Sequence, residues 1–158
     1  MSLTKPALDP RAVEAISRSS YPEPYRSRVL PRAVRRLGDA LGLTRIGINL
    51  VRLEPGKESS MRHWHTHEDE FVYVLEGEVV LRTDAGEQRL TAGMCAGFPA
   101  GSPDGHQLIN RGAQPALYLA ISNRDPQDVA YYADPDVDLL WNSPQARGRM
   151  TRRDGTPC

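Results

Sequence analysis

Between Leu43 and Gly56, the stretch LTRIGINLVRLEPG places Ile46, Ile48 and Leu50 at every second position and stops at Pro55-Gly56. Period two marks a strand, because successive side chains leave an extended chain on opposite faces. Four further runs follow: SMRHWH, EFVYVLEGEVVLRT, GEQRLTAG, and HQLIN with ALYLAIS. Turn signals separate them at Glu76-Gly77, Asp84-Ala85-Gly86, Gly93, Pro99-Ala100-Gly101 and Arg111-Gly112. Short strands with closely spaced turns predict an all-β sandwich or closed barrel.

The flanks read differently. Asp9-Pro10 caps a short predicted helix over 9–17, with Ala12, Val13 and Ile16 on one face. Residues 19–31 carry three prolines and read as an extended arm. Val34, Leu37 and Leu41 fall at helical spacing before Gly42, which predicts a second short helix; its Arg32, Arg35 and Arg36 could mark a phosphate site, but a solvated face is the expected reading. From about residue 124 the chain is rich in Asp, Arg and Pro. Its apolar cluster of Val137, Leu139, Leu140 and Trp141 predicts an arm that docks on its own barrel or on a partner. The organisation expected is 1–42 as N-terminal arm and short helices, 43–123 as barrel, and 124–158 as C-terminal arm.

Composition narrows the partners. Lys plus Arg equals Asp plus Glu at 20 each in 158 residues, so no global field favours nucleic acid or an anionic membrane. Arg147, Arg149, Arg152 and Arg153 lack interleaved aromatic residues and read as solvated. No apolar run is long enough to span a bilayer. Cys95 and Cys158 form no disulfide framework and MSLTKPALDP lacks a signal-peptide core, so a cytoplasmic protein is expected.

All four histidines lie between residues 63 and 106. On a strand, His63 and His65 share a face and aim at one point. Thr66-His67-Glu68-Asp69 can turn the chain so that Glu70 opens the next strand facing the same interior. His106 begins a later strand and can supply a fourth ligand, while His67 reads as a rim residue. An alternative pair, His65 with His67, remains open. Three imidazoles and a carboxylate suit one divalent transition metal such as Zn, Mn, Fe, Ni or Cu, and suit Ca or Mg poorly.

These residues carry a family resemblance. His63-Trp64-His65, four residues, Glu70, six residues and Gly77 resembles the first cupin motif. Gly93, five residues, Pro99, one residue, Gly101, then His106, three residues and Asn110 resembles the second. Two spacings depart from the pattern: six residues between Gly56 and His63 instead of five, and four between Gly101 and His106 instead of two. The resemblance implies a cupin fold, the double-stranded β-helix or jelly-roll barrel, with the metal on His63, His65, Glu70 and His106. SSMRHWHTHEDEFVYVLEGE, DVDLLW and DGTP further resemble small single-cupin proteins labelled sugar-phosphate isomerases.

The fold leaves the reaction open. One expectation is a metal-dependent isomerase acting on a small polar substrate, with Glu70 or a hydroxide on the metal moving the proton. An Fe(II) dioxygenase and a non-catalytic metal or small-ligand binder are the alternatives. The metal-facing wall is expected from Met61, Val72, Val74 and Leu108, with no basic residue on these strands, although Lys57, Arg45 or the N-terminal arm could reach in. Trp64 is expected to face away from the metal, Cys95 to be buried and Asn110 to form a turn. Phe71, Tyr73 and Leu75 oppose Val72 and Val74 on a strand apolar on both faces, which predicts a homodimer.

Overall fold

The structure is a computed structural model that describes residues 3–142 and 149–158. Among the described residues, twelve strands form three antiparallel sheets. The largest has the order β1 (Arg32–Arg36), β2 (Ile46–Leu53), β9 (Ala116–Asn123), β4 (Glu70–Glu76), β7 (Cys95–Phe98). Facing it is a three-stranded sheet, β6 (Gly86–Thr91), β5 (Glu78–Thr83), β8 (Gln107–Ile109). The third runs β12 (Arg149–Thr151), β11 (Leu140–Asn142), β10 (Val129–Tyr132), β3 (His63–His65).

The core lies between the first two sheets. Val51, Leu53, Val72, Val74 and Tyr118 from one meet Val79, Leu81, Leu90 and Leu108 from the other. Each large side chain removed from water contributes roughly 1.5–3 kcal/mol, so this cluster dominates the stability of the barrel. Gly77, between β4 and β5, has φ +72, and a Cβ there would lie 2.9 Å from the Pro115 carbonyl oxygen. The turn that reverses the chain therefore admits only glycine without a backbone shift.

A second cluster joins both ends of the chain to the barrel. Tyr21 and Val29 pack with Met61, Tyr132, Val137 and Leu139. The C-terminal arm thus docks on its own chain, and β10 pairs with β3, setting Ala130 opposite His65 and Tyr132 opposite His63.

Several local expectations are corrected. In place of a helix, residues 9–17 hold a 3-10 turn, Pro10–Ala12, capped by Asp9, and Ile16 bridges to Val34. The supposed extended arm contains helix α1 (Tyr25–Val29). Arg32–Arg36 is a strand, and helix α2 is confined to Leu37–Leu41, ending at Gly42 with φ 78. In β2 the inward residues are Val51 and Leu53, whereas Ile46 is exposed. Ile46, Ile48 and Leu50 are periodic because they form the outer face. Met61 belongs to the second cluster and Val74 to the barrel core, and neither lines the cavity that holds Glu70 and His106. Cys95 is exposed. Arg152 and Arg153 are exposed, as expected, while Arg147 and the side chain of Arg149 lie outside the described residues.

Asn110 does form a turn, and it does so from a fully buried position. Its Oδ1 accepts from the Gly112 N–H at 2.9 Å, and its Nδ2 donates to the carbonyls of Leu53 and Gln114. Val72 and Val74 are buried, while Phe71, Tyr73 and Leu75 are each nearly two-fifths exposed at 38%, 38% and 39%. The outer face of the largest sheet aligns Ile48, Ile121 and Phe71 in one row and Leu50, Leu119 and Tyr73 in the next.

Candidate functional site

Three strands and one bridge bring the chemistry together. β3 presents His63 and His65 on one face, and β4 opens with Glu70 on its inward side, in line with Val72 and Val74. The long Gly101–His106 loop still delivers its histidine, because His63 and His106 exchange both backbone hydrogen bonds, at 3.1 and 2.8 Å. Phe98, opposite Glu70 in the β4–β7 ladder, stacks on the His106 ring with centroids 3.6 Å apart and planes 3° from parallel.

The four candidate ligands converge on one atom. Glu70 Oε2 lies 2.8 Å from His106 Nε2, 3.5 Å from His65 Nε2 and 3.6 Å from His63 Nε2. Ligand atoms of His63, Glu70 and His106 all lie within 4.8 Å of one another. Despite this crowding, Oε2 is buried with no donor aligned on it, and His106 Nδ1 is buried without a partner.

The far sides of the rings explain the misfit. His63 Nδ1 lies 2.9 Å from the Met61 carbonyl, which can only accept, so Nδ1 carries the proton. His65 Nδ1 lies 2.5 Å from Asp128 Oδ2, and the carboxylate takes the same role. In the neutral tautomers these partners select, both Nε2 lone pairs face a carboxylate oxygen. A cation resolves that repulsion, so the residues present fit a metal.

Ionisation states follow from these contacts. Burial alone would raise the Glu70 pKa, but His106, 2.8 Å away, and the positive charge of His63 and His65 when those rings are protonated outweigh it and hold the carboxyl well below its usual range. Burial, reinforced by the neighbouring histidines, lowers His106 despite Glu70. His65 is also desolvated, yet Asp128 and Glu70 prevail and raise it.

Asp128 was invisible in the sequence pattern. It is 1% exposed, and its Oδ1 accepts the backbone N–H groups of His67 and Glu68 at 2.9 and 3.2 Å. One side chain from the C-terminal arm therefore orients His65 and shapes the turn that aims Glu70. Its contact with Glu68 and His65 also brings three ligand-type atoms within 4.8 Å. There the His65–Asp128 hydrogen bond already satisfies the pair.

His67 is exposed, with Nδ1 on the Thr66 hydroxyl at 2.8 Å, and it stands outside the convergent group. Trp64 stacks on Tyr131 with centroids 5.0 Å apart and also borders a small cleft beside His65 and Glu70, where a purely outward position was expected. Val72 and Leu108 line the cavity with Glu70 and His106.

Comparison with known proteins agrees with this architecture. The cupin domain family matches residues 49–122. A crystal structure from Silicibacter pomeroyi, described as a sugar phosphate isomerase from a cupin superfamily, shares 45% identity over 97% of this chain and 96% of its own, with a TM-score of 0.90. A solved structure from Acidithiobacillus ferrooxidans shares 33% identity over 78% of this chain and 77% of its own, with a TM-score of 0.70. The tetracenomycin polyketide synthase protein TcmJ of Streptomyces glaucescens is 30% identical over 98 residues, and the match spans 64% of that protein's length. This chain belongs to the cupin superfamily, and its fold is the all-β cupin barrel.

Proposed function

We propose that this cupin is a metal-dependent enzyme acting on a small polar metabolite, with chemistry of the sugar-phosphate isomerase kind. One divalent transition metal, Zn, Mn, Fe or Ni, is held by His63, His65, Glu70 and His106. The observation that carries this reading is the pair of oriented Nε2 lone pairs turned on the buried, unsatisfied Glu70 Oε2. The bound metal supplies a Lewis acid for a carbonyl or enediol oxygen.

The remaining work falls to the chain. Glu70, the carboxylate on which the three imidazoles converge, is placed to carry a proton between adjacent substrate atoms. Phe98 holds His106 in plane, and Val72 and Leu108 form an apolar wall that keeps water from the reacting face. The Silicibacter pomeroyi relative supports the isomerase assignment.

The apolar rows on the outer face of the large sheet are the surface for a homodimer. Both cysteines are free, which suits a reducing cytoplasm.

Metal analysis of protein purified without a histidine tag, followed by assay against aldose and ketose phosphates, tests the function. One metal per chain with isomer interconversion supports it. Oxygen consumption with Fe(II) would replace it with an oxygenase, and metal without any turnover would leave a binding protein.

A further inference from the structure

The metal-site cavity contains a cation that the sequence pattern had placed on a solvated helix. In β1, Arg32 and Val34 share the inward face, with Arg32 opposite Leu53 and Val34 opposite Val51 in the ladder. Both line a cavity of about 280 Å³ whose other end is His63, Glu70 and His106. An adjoining cavity of about 180 Å³, under the N-terminal arm and Trp141, shares Arg32, Ser60 and His63 with it. Arg32 therefore stands where the two spaces meet, within the same chamber as the candidate ligands.

Its bonding is incomplete. Nη1 donates to the Ser59 carbonyl, but Nε is buried without a partner. Withdrawing a guanidinium from water is costly unless its donors are paired. Arg62 shows how this protein treats a structural arginine: it is held by Asp134 at 2.9 Å and by Asp84. None of the ion pairs among the described residues involves Arg32, and Glu70, turned toward the histidines, is the one carboxylate on the cavity wall. The charge is nevertheless felt inside. It opposes the rise that burial imposes on the phenols of Tyr21, Tyr132 and Tyr118, the last of which reaches about 12.

We propose that Arg32 is the anion-recognition residue of this site, gripping a carboxylate or phosphate group on the substrate while another substrate oxygen faces the metal ligands. With Nη1 committed to Ser59, the Nε–Nη2 edge remains, and that edge meets a planar carboxylate or a phosphate side-on through two parallel hydrogen bonds. The inference deepens the proposed function and rests on it for the metal. The anion grip itself is a property of the metal-free chain as well.

The test measures inorganic phosphate and acetate binding by calorimetry, in metal-free and metal-loaded protein, for the wild type, Arg32→Gln and Arg32→Lys. Metal content is measured in parallel. Wild-type protein is expected to bind at least one of the two anions in both states. In Arg32→Gln that affinity falls at least tenfold while metal per chain stays at the wild-type level. Arg32→Lys keeps the charge but loses the side-on fork, so it binds with intermediate affinity, and it serves if Arg32→Gln does not fold. Preference for phosphate over acetate assigns a phosphate ester, and the reverse assigns a carboxylate. Equal anion affinity in wild type and both variants, or binding of neither anion by wild type, overturns the proposal. A wild type that holds no metal but shows Arg32-dependent anion binding overturns the metal reading alone.

Discussion

His65 Nδ1 and Asp128 Oδ2 are 2.5 Å apart, a contact between residues 63 positions distant in sequence that fixes which nitrogen of His65 faces Glu70. Replacing Asp128 with Asn keeps the shape but removes the charge that holds the Nδ1 proton. Metal affinity should fall by about 10–100-fold, the usual effect of losing a carboxylate behind a ligating imidazole. Competition against a chromophoric chelator measures it, and an unchanged affinity would show that His65 does not ligate through Nε2.

The two possible histidine registers make opposite forecasts. His63→Ala should remove most of the metal, because three remaining ligands hold it poorly. His67→Ala should leave metal content near wild type, since His67 is exposed and bonded to Thr66. Elemental analysis of both variants decides. Greater loss in His67→Ala would move the site by two residues.

Metal retention should depend on pH in one direction. Glu70 is held ionised well below its ordinary range, so it accepts no proton as the solution acidifies through pH 6. The imidazoles must be neutral to ligate, and an unperturbed histidine titrates near ~6.5. Affinity should therefore be flat above about pH 7.5 and fall steeply below about 6, with more than one proton taken up per metal released. Calorimetry in buffers of different ionisation enthalpy counts those protons, and a flat profile to pH 5.5 would exclude an imidazole-rich ligand set.

Self-association has its own signature. Phe71 and Tyr73 lie in adjacent apolar rows of the outer sheet face, each 38% exposed. A Phe71→Asp/Tyr73→Glu double variant should be monomeric by light scattering at micromolar concentration where the wild type is dimeric. It should keep its metal, because both side chains point away from Glu70. A wild-type monomer would remove the dimer from the account.

The sequence exposed what local periodicity controls. Two residues apart on one strand, His63 and His65 had to share a face, and the polar turn before Glu70 allowed it to join them. Phe71 and Val72 likewise sorted onto opposite sides. What stayed hidden depends on competing periods or distant pairing. Val34, Leu37 and Leu41 match a helix, yet pairing with β2 makes Arg32–Arg36 a strand, and that change of period turns Arg32 inward. Ile46, Ile48 and Leu50 alternate correctly but mark the outer face, because β2 is apolar on both sides. Asp128 left no local trace at all.

Among the described residues, β3 takes its only strand ladder from β10, which lies beyond residue 122, where the cupin-domain match ends. The stretch 49–122 contains every candidate ligand but lacks the edge that keeps two of them extended. Such a fragment would have the right atoms in a pliable order, and its metal affinity would measure how much rigidity the rest of the chain lends. In this protein the inventory of ligands and the ability to hold them open are encoded in separate stretches of sequence. A change near Ala130 can therefore disable a centre it never touches.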